Sequence, residues 1–124
     1  VMEGISLESK DMYQHMQEAG IEINSLVLTG GASKSDIWAQ IIADMLNLPV
    51  KRLKVSDATI LGSAILAGVG VGLFKDNEEA VQKMVHVADV TDPISENVAV
   101  YESRYSAYRN LYHALADQGI FEQL

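Results

Sequence analysis

The sequence has no cysteine, which excludes a disulfide scaffold and any thiolate metal site. Basic residues are scarce as well: nine Lys and Arg against 17 Asp and Glu give a formal charge of −8. Nucleic-acid backbones are held by clustered Lys and Arg, so that class of partner is disfavoured. The acidic residues are scattered and read as a solubility feature. A secretory leader is not visible, because Val1-Met2-Glu3-Gly4 has neither a basic flank nor an apolar run. The one candidate membrane segment, Ala58 to Phe74, is short and holds Thr59 and Ser63. Gly62, Gly68, Gly70 and Gly72 interrupt it. It reads as a buried helix of a soluble protein, and a cytoplasmic location is expected. Val1 is not an initiator residue, which suggests a truncated chain.

What is present suits a packed fold: 48% of the residues are hydrophobic, too many for a disordered tail. Helical spacing puts Ile5, Met12, Met16 and Ala19 on one face of a first helix, and Gly20 stands where a left-handed cap is wanted. Leu26-Val27-Leu28-Thr29 is a short apolar run without alternation, the mark of a strand buried on both faces. Gly30 and Gly31 end it. Ile37, Trp38, Ile41, Ile42, Met45 and Leu46 then recur at helical spacing, with Ser35 as N-cap and Asp36 in the first turn. Val50 to Val55 reads as a second parallel strand, and Ser56-Asp57 caps a third helix over Ala58 to Val69. That helix is apolar on all sides and rich in small residues, so burial with close backbone approach is expected. A short helix over Asn77 to Val85, an irregular stretch from His86 to Pro93 and a last helix over Val98 to Ala116 complete the chain. Along the last helix Tyr101, Tyr105, Tyr108, Tyr112 and Leu115 form a stripe, expected to be a packing face with its hydroxyls at the solvent edge. The alternation argues for an α/β layer around a small parallel sheet with flanking helices.

The main chemical signal is Leu28-Thr29-Gly30-Gly31-Ala32-Ser33-Lys34-Ser35-Asp36, a strand running through a glycine turn into a helix. Glycines let a ligand approach the backbone, and a helix start offers N–H groups and a positive dipole end. A phosphate or nucleotide edge fits there, with charge from Lys34 and a hydroxyl from Ser33 or Ser35. The same residues also suit a plain tight βα turn, and neither G-x-G-x-x-G nor G-x-x-x-x-G-K-[ST] is present. Both readings stay open on these residues alone. His15, His86 and His113 lack ligand spacing, so no metal site is expected. Asp44, Asp57 and Asp89 are better explained as caps or surface acids than as general bases, and Lys51, Arg52 and Lys54 as a solvated strand edge.

Two motifs at this separation change the balance. Leu26 to Asp44 resembles the strand–glycine turn–helix of the FGGY carbohydrate kinases: two or three glycines, a small residue, Lys-Ser, an aromatic and Gln-x-x-Ala-Asp, here Gln40, Ala43 and Asp44. Asp57-Ala58-Thr59-Ile60-Leu61-Gly62-Ser63-Ala64 resembles that family's acidic-x-x-Ala-Leu-Gly-Ala-Ala helix. Met2-Glu3-Gly4-Ile5 and the region Tyr101 to Tyr112 are similar to further stretches of the family. Ala32 stands where a third glycine is frequent, and Ile60 and Ser63 replace alanines.

The resemblance implies the actin-like, ribonuclease H-like ATPase fold, with residues 1–124 as the C-terminal nucleotide-binding portion and the N-terminal domain absent. It implies that Gly30, Gly31, Ala32 and Ser35 contact ATP, with Lys34 as an addition, and that the helix over Ala58 to Val69 packs behind the turn. It also implies that the catalytic aspartate, the phosphate loop, the Mg²⁺-binding acids and the sugar pocket lie outside this chain. The isolated chain is therefore expected to be inactive. The wording of Lys34 to Trp38 is most similar to the xylulose kinase branch, which suggests a ketopentose substrate. Gluconate, glycerol and deoxysugar kinases stay open, as do an actin-like ATPase regulator and a non-enzymatic assembly module that self-associates.

Overall fold

In the computed structural model, residues 1–123 are described. The element order is α1 (Met2–Glu18), β1 (Leu26–Leu28), a 3₁₀ turn (Gly30–Lys34), α2 (Asp36–Leu46), β2 (Val50–Leu53), α3 (Ala58–Gly70), α4 (Asn77–Met84), β3 (Val87–Thr91) and α5 (Ser95–Asp117). A 3₁₀ segment, Ile120–Gln123, follows α5.

Local chemistry sets most of these boundaries. Gly20, at φ 81°, closes α1. Its N–H donates to the Gln17 carbonyl and the Ile21 N–H to the Met16 carbonyl, the paired bonds of a Schellman cap. Ser35 Oγ accepts the Trp38 N–H at the start of α2, and Asn47 ends that helix in the left-handed conformation. Asp57 and Asp76 cap α3 and α4 in the same way as Ser35, accepting the N–H groups of Ile60 and Glu79.

The three strands lie in the order β1-β2-β3, with β1 parallel and β3 antiparallel to β2. The third strand corrects the expectation of an irregular His86–Pro93. Val87-Ala88-Asp89-Val90-Thr91 alternates only weakly and carries an acid, yet it meets β2 in register, Arg52 opposite Asp89 and Lys51 opposite Val90. Pairing supplied what the pattern did not show. It also makes β2 the central strand, so Lys51 and Arg52 do not form a solvated edge.

Helix α2 is the hub. It packs against α1, α5 and the sheet, and its Ala39, Ala43, Met45 and Leu46 are buried along with Leu48 and Val50. A second, smaller cluster joins Leu61 and Ile65 of α3 to Ala80 of α4, with Leu53, Phe74 and Met84 around it.

Burial departs from the sequence pattern in three places. Val27 of β1 is 54% exposed while Leu26 and Leu28 are half-buried, because side chains alternate between the two faces of a strand and the face that carries Val27 is uncovered. Ile5, Met12 and Met16 of α1 are about half exposed, while Ser6 and Lys10 are the buried residues of that helix. The side of α1 that meets α5 is polar: Lys10 pairs with Glu102, Glu3 with Tyr101 and Arg104, and Asp11 with Tyr105 and Arg109. On α3 only Leu61, Ile65 and Gly68 are buried, although the helix is apolar all round. Close approach occurs at Gly68 alone, where an added Cβ would stand 2.7 Å from the Phe74 ring; around Gly62 and Gly70 the space is open.

Candidate functional site

The glycine turn leaves β1 at its C-terminal end. Gly30 takes φ 70°, a conformation that disfavours any side chain, and its N–H donates to the Ser56 carbonyl at 2.8 Å. That bond ties the turn to the segment that caps α3. The chain then winds through one short 3₁₀ helix before α2 begins. Gly30 and Gly31 are exposed, and a Cβ placed on either would meet nothing within 4 Å. The backbone is thus open to approach on the side where it carries no side chains.

The predicted contact residues are adjacent and surround this opening, but their chemistry differs from one to the next. Lys34 is exposed and Ala32 half-buried. Ser35 Oγ is engaged as the α2 cap, at 3.3 Å from the Trp38 nitrogen, and keeps its own proton for donation. The Ser33 hydroxyl is buried and donates to the Gly30 carbonyl at 2.7 Å, so it latches the turn and is not available to a ligand. Helix α3 does not pack behind the turn; it packs on α4, and its link to the turn is the Ser56 carbonyl.

Electrostatics around the turn are set by a residue the sequence reading assigned to a strand edge. Arg52 lies beside Leu28, the last residue of β1, and opposite Asp89 of β3. Its Nε donates to Asp89 Oδ1 at 2.7 Å, and its Nη1 to Asp36 Oδ1 at 2.6 Å and the Ser33 carbonyl at 3.3 Å. The two carboxylates hold the guanidinium still further above its already high pKa. The signal that could have found it was the basic run Lys51, Arg52 and Lys54 at the strand that follows the glycine turn and its helix. It was missed because β3, which supplies Asp89, was not recognised.

The candidate general bases are structural. Asp57 caps α3. Asp44 is 2% exposed and reaches from α2 to the start of α5: Oδ1 accepts the Ile94 N–H at 2.7 Å and Gln40 Nε2 at 2.8 Å, and Oδ2 accepts Asn97 Nδ2 at 2.8 Å. Ile94 has no capping side chain, so Asp44 serves α5 as a cap from another helix. Among the described residues, no group of three or more His, Asp or Glu is placed to hold a metal ion, and no helix is long and apolar enough to cross a membrane. A cavity of about 260 Å³ that includes no residue of the turn lies between α1, β1 and α2, lined by Met12, Met16, Ile23, Leu26, Val27 and Ile42 among others. It is almost wholly apolar and marks the uncovered edge of the sheet.

Comparison with known proteins places this geometry. The chain is 41% identical over 112 residues to a xylulose kinase of Staphylococcus epidermidis, an alignment covering 90% of this chain and 23% of that protein. Its structure is similar to that of a ligand-bound xylulose kinase from Lactobacillus acidophilus, with a TM-score of 0.83, 28% identity, and coverage of 94% of this chain and 24% of the other. A gluconate kinase from the same organism matches with a TM-score of 0.82 and 28% identity over 94% of this chain and 23% of the other. The shared fold is the actin-like ATPase fold of these sugar kinases. The chain spans about a quarter of the length of these proteins. Residues 1–71 match the FGGY family of carbohydrate kinases, C-terminal domain, and the chain belongs to that family.

Proposed function

We propose that residues 1–124 form the ATP-binding part of a sugar kinase that transfers the γ-phosphoryl group of ATP to a sugar hydroxyl, and that the sugar is a ketopentose such as xylulose. The observation that carries the nucleotide reading is the open backbone at Gly30 and Gly31, at the end of a sheet strand, with no atom within 4 Å of either Cβ position. Ligands of open α/β sheets bind beyond the carboxyl ends of strands, where this turn lies. The adenosine and phosphate side of ATP would rest against Gly30, Gly31 and Ala32, with Lys34 adding positive charge and the Ser35 hydroxyl donating. The similarity to xylulose kinases supports the sugar, and the equally good structural match to a gluconate kinase is the competing assignment.

Phosphoryl transfer needs positioning, Mg²⁺ and a base together. In this reading the metal ligands, the base and the sugar pocket belong to a part of the enzyme outside these residues. The chain's own residues bind and orient the nucleotide, and the chain alone does not catalyse. An ADP titration followed by amide NMR tests this. Saturable shifts confined to Gly30–Asp36 and their neighbours are expected, with weak affinity because only one wall of a cleft is present. Absence of shifts at millimolar ADP would count against the nucleotide site. Sugar phosphorylation by the pure chain would overturn the expectation of inactivity.

A further inference from the structure

We propose that Arg52 is the positioning residue of the glycine turn, and that it also offsets part of the negative charge of Asp36 and Asp89, which would otherwise repel a bound polyphosphate more strongly. This rests on the nucleotide reading above. Three observations converge. The strand register puts Arg52 beside Leu28, immediately before the turn, and opposite Asp89. One guanidinium bonds three groups from separate elements: Asp89 of β3, Asp36 in the first turn of α2 and the carbonyl of Ser33 within the 3₁₀ turn. Its side chain is only 18% exposed, whereas that of Asp36 is 89% exposed. The arginine is therefore held from inside the fold, while the acid it balances faces solvent beside the opening.

A turn containing two glycines loses more freedom on ordering than the same turn with side chains at those positions. Arg52 removes part of that cost in advance by fixing the Ser33 carbonyl within the turn and the start of α2 against the sheet. A planar, forked donor is needed to do this, and lysine's single ammonium cannot reach all three acceptors at once. The charge argument is separate. Asp36 and Asp89 are tied through Arg52 to the turn that is to receive phosphates, and without its one positive charge neither carboxylate would have a cation of the described residues beside it there. Asp89 in turn orients the guanidinium, which gives β3 a role at the site.

The test uses the 124-residue chain with Arg52→Met, Arg52→Lys and Asp89→Asn. Hydrogen exchange reads positioning without any ligand. Amides of Gly31–Asp36 are expected to exchange about tenfold faster in Arg52→Met, the shift expected for loss of one charged hydrogen bond. Those at the middle of α5 should be unchanged. Asp89→Asn should act in the same direction and less. ADP affinity, read by NMR, should fall about tenfold in Arg52→Met. Arg52→Lys should recover part of the affinity by restoring charge, but little of the exchange protection, because the fork is lost. Adding Asp36→Asn to Arg52→Met should likewise recover affinity and leave exchange fast, a split that a purely structural role would not produce. Unchanged turn exchange in Arg52→Met, or in Asp89→Asn should that variant alone fold, overturns the positioning role. Unchanged ADP affinity overturns the electrostatic one. If wild-type chain shows no ADP shifts, the nucleotide reading fails while the exchange data still decide whether Arg52 holds the turn.

Discussion

Helices α2 and α3 follow the same plan and end differently. Each comes after a strand and is capped by a short polar side chain, Ser35 in one case and Asp57 in the other. Helix α3 is the more apolar of the two, with no charged residue between Ala58 and Gly70. Yet α2 buries Ala39, Ala43, Asp44, Met45 and Leu46, while α3 buries only Leu61, Ile65 and Gly68 and leaves Ile60 and Leu66 about two thirds exposed. Composition says that a helix has something to bury; neighbours decide whether it does. Helix α2 has α1, α5 and the sheet around it, and α3 has chiefly α4.

The strongest way to break this comparison is to attack what α2 holds. Met45 is 1% exposed, and Met45→Ala should cost about 3 kcal/mol in transfer and cavity energy. Asp44→Ala should cost somewhat less, about 2 kcal/mol, because it removes the acceptor of the Ile94 N–H and of the Asn97 amide at the start of α5, while Gln40 keeps the Asp92 carbonyl. Urea unfolding of both variants would check this. If Asp44→Ala were nearly neutral, the α2–α5 junction would not be what sets stability in this half.

The same contrast shows which features were legible in the sequence. Caps were: Ser35, Asp57 and Gly20 act through neighbours two to five residues away, and their side chains or φ angles were read correctly. The glycine turn was placed, because a strand, two glycines and a helix are local facts. Strand β3 was not, since its pairing with β2 is held by contacts almost 40 residues apart in sequence, including the ion pair of Arg52 with Asp89. The roles of Arg52 and Asp44 were hidden for the same reason. Arg52 is defined by partners on three other elements and Asp44 by partners at the start of α5, about 50 residues away, and nothing within five residues of either reveals them all. The polar α1–α5 contact was hidden as well: the stripe Tyr101 and Tyr105 was legible as a packing face, but not that it meets Glu3 and Asp11 rather than apolar side chains.

Glycines sharpen the comparison within α3 itself. Gly68 is the one place where the helix is tightly covered, so Gly68→Ala should destabilise by about 2 kcal/mol as its methyl collides with the Phe74 ring. Phe74→Leu in the same chain should relieve part of that loss. Gly62 faces open space, and Gly62→Ala should stabilise by up to about 1 kcal/mol through helix propensity alone. Thermal denaturation of the two variants should move in opposite directions.

The α2 half also contains titratable cross-links with no counterpart between α3 and α4. Burial pushes the Asp11 carboxyl up, but hydrogen bonds from Arg109 and Tyr105 outweigh it and hold the group below the usual carboxylate range. Its stabilisation is therefore complete above the unfolded value of about 3.9 and is lost as pH falls through the lower folded value. Burial, then the hydrogen bond to Asp11, pushes the Tyr105 hydroxyl up to about 12. That contribution is complete below the unfolded value of about 10 and is lost as pH rises through the folded one. Asp11→Asn should flatten the acid limb of the stability profile. Tyr105→Phe should flatten the alkaline limb, removing the contribution that is lost between the unfolded value of about 10 and the folded value of about 12. Chemical denaturation across pH would show both.

The smallest expected effect is the most discriminating. Ile60 and Leu66 are 66% and 65% exposed, so Ile60→Ser and Leu66→Ser remove little buried surface from this chain. Each should change its stability by no more than about 0.5 kcal/mol, the range of ordinary surface substitutions. A core-sized loss would mean that the α3 face is covered in solution. The only cover then available is a second copy, and the unfolding midpoint would rise with protein concentration in the parent chain but not in the serine variants. A concentration-independent midpoint with near-zero effects would leave α3 as a helix whose apolar face this chain does not bury. The same two substitutions placed in a full-length relative should then be far more costly, because there the face has a further three quarters of the protein to pack against.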